Sequence, residues 1–162
     1  MSWVFYDADL HGAGTAAGTR WRFAADTVMG GVSRGGLELG AQGGRTALLL
    51  RGEVSLENGG GFIQMNADLG AGPVDLSDLT ELQLALSGDG GPFVVLLKTT
   101  DLARPWQSYR YELEAPAAWA THRVRLEDLH PHRTEAPLDL RRARRLGLAA
   151  LGRPGPARLA LA

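Results

Sequence analysis

Residues 31–35 read G-x-S-x-G, the pattern of the nucleophile elbow that exposes a reactive serine in some hydrolases. Such an elbow needs a helix directly after the serine, and a histidine and a carboxylate within reach of its hydroxyl. Residues 36–40 read GLELG instead, an alternation that indicates a strand. We therefore interpret Ser33 as part of a turn, predict no catalytic residues and expect a protein that is not an enzyme.

Two other short motifs suggest cofactor or metal chemistry. Residues 12–17 match G-x-G-x-x-A, a loose dinucleotide-binding pattern, but the segment that follows is too short for the helix that this motif requires. His130 and His132 flank a proline, and no third ligand stands at a recognisable metal-binding spacing. We predict no cofactor and no metal site, while one calcium ion bound by acidic turns remains an open alternative.

The densest group of candidate residues lies in two glycine-rich turns. Residues 26–33 read DTVMGGVS and residues 57–64 read ENGGGFIQ. Glycine pairs permit close backbone approach, and Asp26 and Asn58 can bond backbone groups across a turn. We favour the interpretation that two demanding turns are locked against each other.

The same turns also support a second interpretation, a rigid binding pocket. Its walls would be the large apolar side chains near the glycine pairs, namely Trp21, Met29 and Phe62. Glycine turns more often serve backbone conformation than ligand contact, so we place this pocket second.

The elements that must position these turns are strands. The chain has 22 glycines in 162 residues, and the glycine clusters are separated by short runs with strand periodicity, as in all-β proteins. We predict strands at residues 46–50, 81–87, 93–97, 107–113, 120–126 and 157–161, with 46–50 and 93–97 buried on both faces. Short helical turns are expected at residues 76–79 and 139–145, and residues 1–162 are expected to form one domain.

Composition excludes several classes of protein. The absence of cysteine excludes disulfide scaffolds, thiolate metal sites and cysteine nucleophiles. Seventeen basic and 18 acidic residues give a net charge of −1, which argues against a general nucleic-acid or anionic-membrane binder. Lys98 is the single lysine among the basic residues. No apolar run approaches the roughly 18 residues of a membrane span, and the first residues do not read as a secretion signal, so we expect a cytoplasmic location.

The octet at residues 26–33 resembles a conserved motif of the complex I intermediate-associated protein family. Further matching segments occur in the same order along nearly the whole chain, from Trp3 to Leu161: Trp21, residues 52–58, residues 60–62, residues 88–90, Trp119 and residues 147–148. The resemblance implies a galactose-binding-like jelly roll, an all-β sandwich of two antiparallel sheets. It also implies kinship with mitochondrial factors that assist assembly of respiratory complex I, and it supplies no catalytic residues.

We therefore expect a non-enzymatic binding module that recognises a protein partner, as an assembly or chaperone-like factor. The alternative is a carbohydrate or other small-molecule binding module that uses the concave sheet face, with Trp106, Gln107 and Tyr109 stacking on and bonding a sugar ring. An aromatic groove with converging polar groups would favour a glycan, and a flat apolar patch would favour a protein. The candidate binding residues are Trp21, Asp26, Met29, Ser33, Asn58, Phe62, Gln64, Trp106, Gln107, Tyr109 and Trp119.

Overall fold

Residues 2–162 are described by a computed structural model; Met1, which the predicted domain boundaries include, lies outside the described residues. They form one short helix, α1 (Ala8–His11), and eleven strands. The strands are β1 (Arg22–Ala25), β2 (Arg34–Gln42), β3 (Arg45–Val54), β4 (Phe62–Asp68), β5 (Glu81–Gly88), β6 (Pro92–Thr99), β7 (Ser108–Glu114), β8 (Ala120–Arg125), β9 (His130–His132), β10 (Ala143–Leu151) and β11 (Gly155–Leu161). Four 3-10 helices lie between strands, at Asp26–Met29, Glu57–Gly59, Leu126–Asp128 and Leu140–Arg142.

The strands form two antiparallel sheets. The six-stranded sheet has the order β1-β4-β10-β6-β7-β9, and the five-stranded sheet has the order β2-β3-β11-β5-β8. Each of the six predicted strands overlaps an observed one. The predicted all-β, antiparallel jelly-roll sandwich is confirmed.

The core lies between the sheets because alternate side chains of each strand point inward. In β4, Ile63 and Met65 are buried in the core, whereas Gln64 and Asn66 lie on the outer face. The run at residues 46–50 is buried on both faces, as predicted: Leu48 and Leu50 enter the core, and Ala47 and Leu49 pack outside it against Ala160 and Trp119.

The registers define the two ends of the six-stranded sheet. At one end, which we call the corner end, Phe62 pairs with Leu151, and at the other, the far end, Asp68 pairs with Arg145. The loop between β6 and β7 lies at the far end, because β6 ends there at Thr99. Within residues 2–162, no helix is long and apolar enough to cross a membrane.

The short helical turn expected at residues 139–145 is confirmed for three residues and wrong for the rest. Only Leu140–Arg142 forms a 3-10 helix, and β10 begins at Ala143. Strand pairing on both sides of β10, with β4 and β6, and burial of its alternating side chains decide the conformation of this segment. Residues 76–79 form a turn in which the Leu79 N–H donates to the Leu76 carbonyl at 3.0 Å.

Candidate functional site

Asp26 is the centre of the corner between β1 and β4. Its side chain is fully buried at the start of the 3-10 helix that follows β1. Oδ1 accepts a hydrogen bond from the Ser33 N–H at 3.0 Å, and Oδ2 accepts from the Gly61 N–H at 2.6 Å and the Phe62 N–H at 3.1 Å. The Ser33 hydroxyl also donates to Oδ2. One carboxylate therefore closes its own turn and joins that turn to the beginning of β4.

The hydrogen bonds keep this buried carboxylate ionised. Burial by itself opposes the charge, but the bonds from Ser33, Gly61 and Phe62 hold the pKa of Asp26 below its ordinary value. Charge-assisted bonds of this kind are stronger than neutral ones. Asp26 is therefore a structural anion at neutral pH, as the favoured interpretation of the two turns requires.

Ser33 extends the network to β3. Its hydroxyl oxygen accepts from the Ser55 N–H at 2.8 Å and lies 3.2 Å from the Ser55 carbonyl oxygen. The side chain is buried, and the chain continues from it into strand β2 and not into a helix. Within the G-x-S-x-G pattern, the Ser33 hydroxyl therefore connects Asp26 to the end of β3 by hydrogen bonds.

Glycine is required beside Asp26 by close packing. A Cβ atom added to Gly31 would lie 2.5 Å from Asp26 Oδ1, and one added to Gly60 would lie 2.6 Å from Oδ2. Real side chains do not approach this closely. Gly31 and Gly60 are therefore explained by the carboxylate between them, whereas Gly30 and Gly59 have nothing within 4 Å of a Cβ and are explained by their positive φ values of 87° and 71°.

Alanine at position 31 or 60 is expected to lower the free energy of unfolding by about 2 kcal/mol, because the added methyl group must displace Asp26. Gly36→Ala is the matched control, since nothing lies within 4 Å of a Cβ there, and we expect a change within about 0.5 kcal/mol. Denaturant unfolding of the three variants measures both effects. Equal stability of all three would contradict the packing argument.

Four exposed aliphatic side chains surround the Asp26 network. Val28 is 78% exposed and Met29 is 55% exposed, and Val32 and Leu56 are also exposed. The first three lie inside the turn that Asp26 closes, and Leu56 follows the residue that Ser33 braces. We call these four residues the corner patch; it presents apolar side chains on a backbone held by hydrogen bonds.

The outer face of the six-stranded sheet forms a second candidate surface. Its floor is apolar and buried, with Val94, Leu96 and Ala149 packed together. Half-buried polar side chains flank this floor and share its face by strand register. We call this surface the outer trough, with polar residues Gln64, Asn66, Lys98, Arg110 and Arg145.

The structure separates the residues of the predicted aromatic pocket. Trp21 precedes β1 and Met29 follows it, so that the strand places them at opposite ends of the sheet. Trp21 is buried against Phe5 and Tyr6 and lines a cavity of about 540 Å³ that neither Met29 nor Phe62 lines. The pocket expected from these three side chains is not formed.

The three residues expected to hold a sugar ring are also used differently. Tyr109 is 0% exposed, and its hydroxyl donates to the Ala136 carbonyl at 2.8 Å, so its ring cannot stack on a ligand. The Gln107 amide accepts from two backbone N–H groups of its loop and donates to the Arg133 carbonyl at 3.0 Å. Trp106 alone of the three is exposed, at 49%, in the far-end loop.

Asn58 and Trp119 have structural positions. Asn58 is exposed, and its φ of 58° lies in the left-handed region that asparagine tolerates. We expected its side chain to bond backbone groups across the turn, but within residues 2–162 it makes no such hydrogen bond. The Trp119 indole donates to the Gln42 carbonyl at 2.8 Å and lies under the Arg45 guanidinium. Trp119 therefore fastens the β2–β3 hairpin to the end of the β7–β8 loop.

Asn66, Lys98 and Arg110 also lie in the outer trough, although no sequence motif marks them as candidates. The alternation of buried and half-buried residues in β4 is the signal that could have found Asn66. Lys98 and Arg110 stand at outward positions of strands that the sequence did predict. In residues 2–162, no three histidine or acidic side chains are grouped so as to hold a metal ion.

The model of one protein family matches the chain over residues 11–161, and its description is Complex I intermediate-associated protein 30 (CIA30). The chain belongs to this family. The predicted resemblance is therefore confirmed, and the CIA30 match includes both turns that Asp26 joins. No curated protein matches this CIA30 member by sequence.

Solved structures similar to this CIA30 domain include carbohydrate-binding modules. One is the family 11 module from Clostridium thermocellum in complex with a β-1,3-1,4-mixed-linked tetrasaccharide, with TM-score 0.71, 10% identity, and coverage of 98% of this chain and 91% of that one. Another is the family 30 module of the cellulosomal cellulase Cel9D-Cel44B of Clostridium thermocellum, with TM-score 0.59, 16% identity, and coverage of 80% and 86%.

A larger protein contains the same architecture. An exo-β-agarase structure matches 99% of this chain with 24% of its own, at TM-score 0.62 and 11% identity. At such low identities the three likenesses establish the fold alone, a galactose-binding-like jelly roll.

Proposed function

We propose that residues 1–162 act as one non-enzymatic binding module that recognises a protein partner through the corner patch, as a cytoplasmic assembly or chaperone-like factor. The observation that carries this proposal is the exposure of Val28 and Met29 on a turn locked by a buried carboxylate. Apolar side chains that form the centre of an interface are buried by the partner, and burial supplies most of the binding free energy.

Preorganisation supports the same conclusion. Binding costs conformational entropy when loops must be ordered, and the Asp26 and Ser33 bonds have already ordered this turn. Asp26 and Ser33, the first and last residues of the octet, thus hold this surface in shape without contacting the partner themselves. The family description, which refers to an intermediate of complex I, supports a role in assembly.

Quantitative binding of a purified candidate partner tests the proposal. The partner would be found by chemical cross-linking and affinity purification from the native cell, and titrated by calorimetry. An interface centred on apolar residues should give a negative heat-capacity change and weak dependence on salt. Failure of each purified candidate to bind saturably, or binding governed by ionic strength alone, would contradict it.

A carbohydrate module is the second candidate, because the outer trough carries the Gln64 and Asn66 amides beside an apolar floor. The family 11 module of similar fold is in complex with a mixed-linked tetrasaccharide, which supports testing that ligand. Against it, the floor contains aliphatic and not aromatic side chains. Tetrasaccharide binding in an NMR titration that Gln64→Ala weakens would favour this candidate over the protein partner.

A further inference from the structure

We propose that Lys98 and Arg110 form a binding site for an oxyanion, the carboxylate, phosphate or sulfate group of a ligand, at the far end of the outer trough. The site lies at the opposite end of the sheet from the corner patch and does not depend on the protein partner proposed above. Two observations support the site: positive side chains are grouped there, and two of them, Lys98 and Arg110, have no acidic partner within residues 2–162.

Strand register brings the cations together on one face. Lys98 of β6 is paired with Arg145 of β10, and on its other side Leu97 pairs with Tyr109, which places Lys98 beside Ser108 of β7. Arg110 stands two residues further along β7, on the same face as Ser108. Diagonal neighbours of this kind are about 7 Å apart, within reach of one bound group between two long side chains.

In the part of the chain that the structure describes, two of these cations have no carboxylate partner. Arg145 is paired with Asp68 at 2.7 Å, but among residues 2–162 no carboxylate oxygen lies within 4.0 Å of the Lys98 or Arg110 nitrogens. Glu112, the nearest acid along β7, is exposed and raises the pKa of Arg110 only as the last of three influences. Half-buried cations without partners are unusual, since burial penalises an uncompensated charge.

Both side chains retain free donors. Lys98 Nζ donates one bond to the Pro105 carbonyl at 2.6 Å and has two further N–H groups. Arg110 Nε donates to Ser108 Oγ at 2.9 Å, and its terminal nitrogens make no hydrogen bond to any of the residues that the structure describes. These bonds hold the two stems in place while their remaining donors are available to a ligand.

The local electrostatics indicate a positive potential at the same place. Burial first, and then Arg145, Arg144 and Arg110, lower the pKa of Lys98. Burial, Arg110 and Arg133 likewise lower the pKa of His132, which lies across from Ser108 on β9. An oxyanion bound here would relieve this repulsion and accept charge-assisted bonds from ammonium and guanidinium groups.

NMR titrations of the whole chain with sodium sulfate, sodium phosphate and sodium acetate, each at constant ionic strength set by sodium chloride, test the site. We expect saturable shifts at residues 98 and 110 with at least one of the three anions, and the anion that binds most tightly distinguishes tetrahedral from carboxylate ligands. Lys98→Met and Arg110→Gln should each weaken binding about tenfold or more. Arg34→Gln, at an exposed arginine on β2 of the other sheet, should leave it unchanged.

The unliganded variants provide a second readout. Lys98→Met removes mutual repulsion, so its melting temperature without added anion should equal or exceed that of the wild type. A purely structural Lys98 would give a lower melting temperature and unchanged anion binding. That result, or shifts that never saturate, or equal weakening by Arg34→Gln, would overturn the proposal.

Discussion

Replacing Asp26 with alanine is expected to lower the free energy of unfolding by about 3 kcal/mol or more. The substitution leaves the Ser33, Gly61 and Phe62 N–H groups without their acceptor in a buried site, and each unsatisfied buried donor costs about 1–3 kcal/mol. Urea denaturation measures the change. Asp78→Ala, at an exposed acidic residue, is the matched control and should remain within about 0.5 kcal/mol of the wild type.

The pH dependence of the Asp26 contribution gives a second check on the same prediction. The pKa of Asp26 in the folded chain lies below the unfolded value of 3.8, so the folded state binds fewer protons and the carboxylate stabilises it above about pH 4. This contribution is lost as pH falls through the folded pKa. The stability difference between wild type and Asp26→Asn should therefore be full at neutral pH and should narrow in acid. A difference that is constant with pH, or an unchanged denaturation midpoint with altered partner binding, would contradict a structural carboxylate.

The double substitution Val28→Asp with Met29→Asp is expected to weaken binding of the protein partner about 100-fold or more. In the free chain both side chains are largely exposed, at 78% and 55%, so the free energy of unfolding should change by less than about 0.5 kcal/mol. In the complex the new carboxylates would be desolvated without partners, and loss of two interface anchors reaches the required magnitude.

Trp106→Ala is the control for the corner patch, because the exposed fraction of Trp106, 49%, is close to the 55% of Met29, but Trp106 lies in the far-end loop. Calorimetric titration of the purified partner against both variants compares the two surfaces directly. Loss of binding in Trp106→Ala with full binding in the double variant would move the interface to the far end and contradict our assignment.

The strand content could be predicted from the sequence because side-chain alternation and glycine spacing are local patterns, whereas the jelly roll of two antiparallel sheets was implied by the family resemblance. The alternation at residues 81–87 and the apolar run at residues 93–97 both correspond to observed strands, β5 and β6. Strand β10 was not predicted, because the arginines at its start obscure the strand pattern. Its conformation is fixed by pairing with two neighbouring strands, β4 and β6. Local propensity cannot report a partner strand that is distant in the chain.

The sequence predicted two glycine-rich turns at the site, but it did not predict which residues contact each other there. The sequence identified Asp26 as a bonding group, but its bonds to residues 61 and 62 join segments 35 and 36 residues apart. Tyr109 was misplaced for a similar reason, since the segment that buries its hydroxyl lies 27 residues away. The exposed fraction of each side chain therefore distinguishes the candidates. Met29 and Trp106 are exposed and available to a ligand or partner, whereas Tyr109 is buried in the core.

Site-specific photo-crosslinking in the native cell tests the central claim most directly. A photoreactive amino acid placed at position 29, in the corner patch, should give one dominant crosslinked protein, and the same amino acid at position 106 should not. Asp26→Ala should abolish the crosslink from position 29, because the patch loses its fixed shape. Equal or stronger crosslinking from position 106 to that protein, or no protein crosslink from position 29, would contradict a partner-binding role for the corner patch.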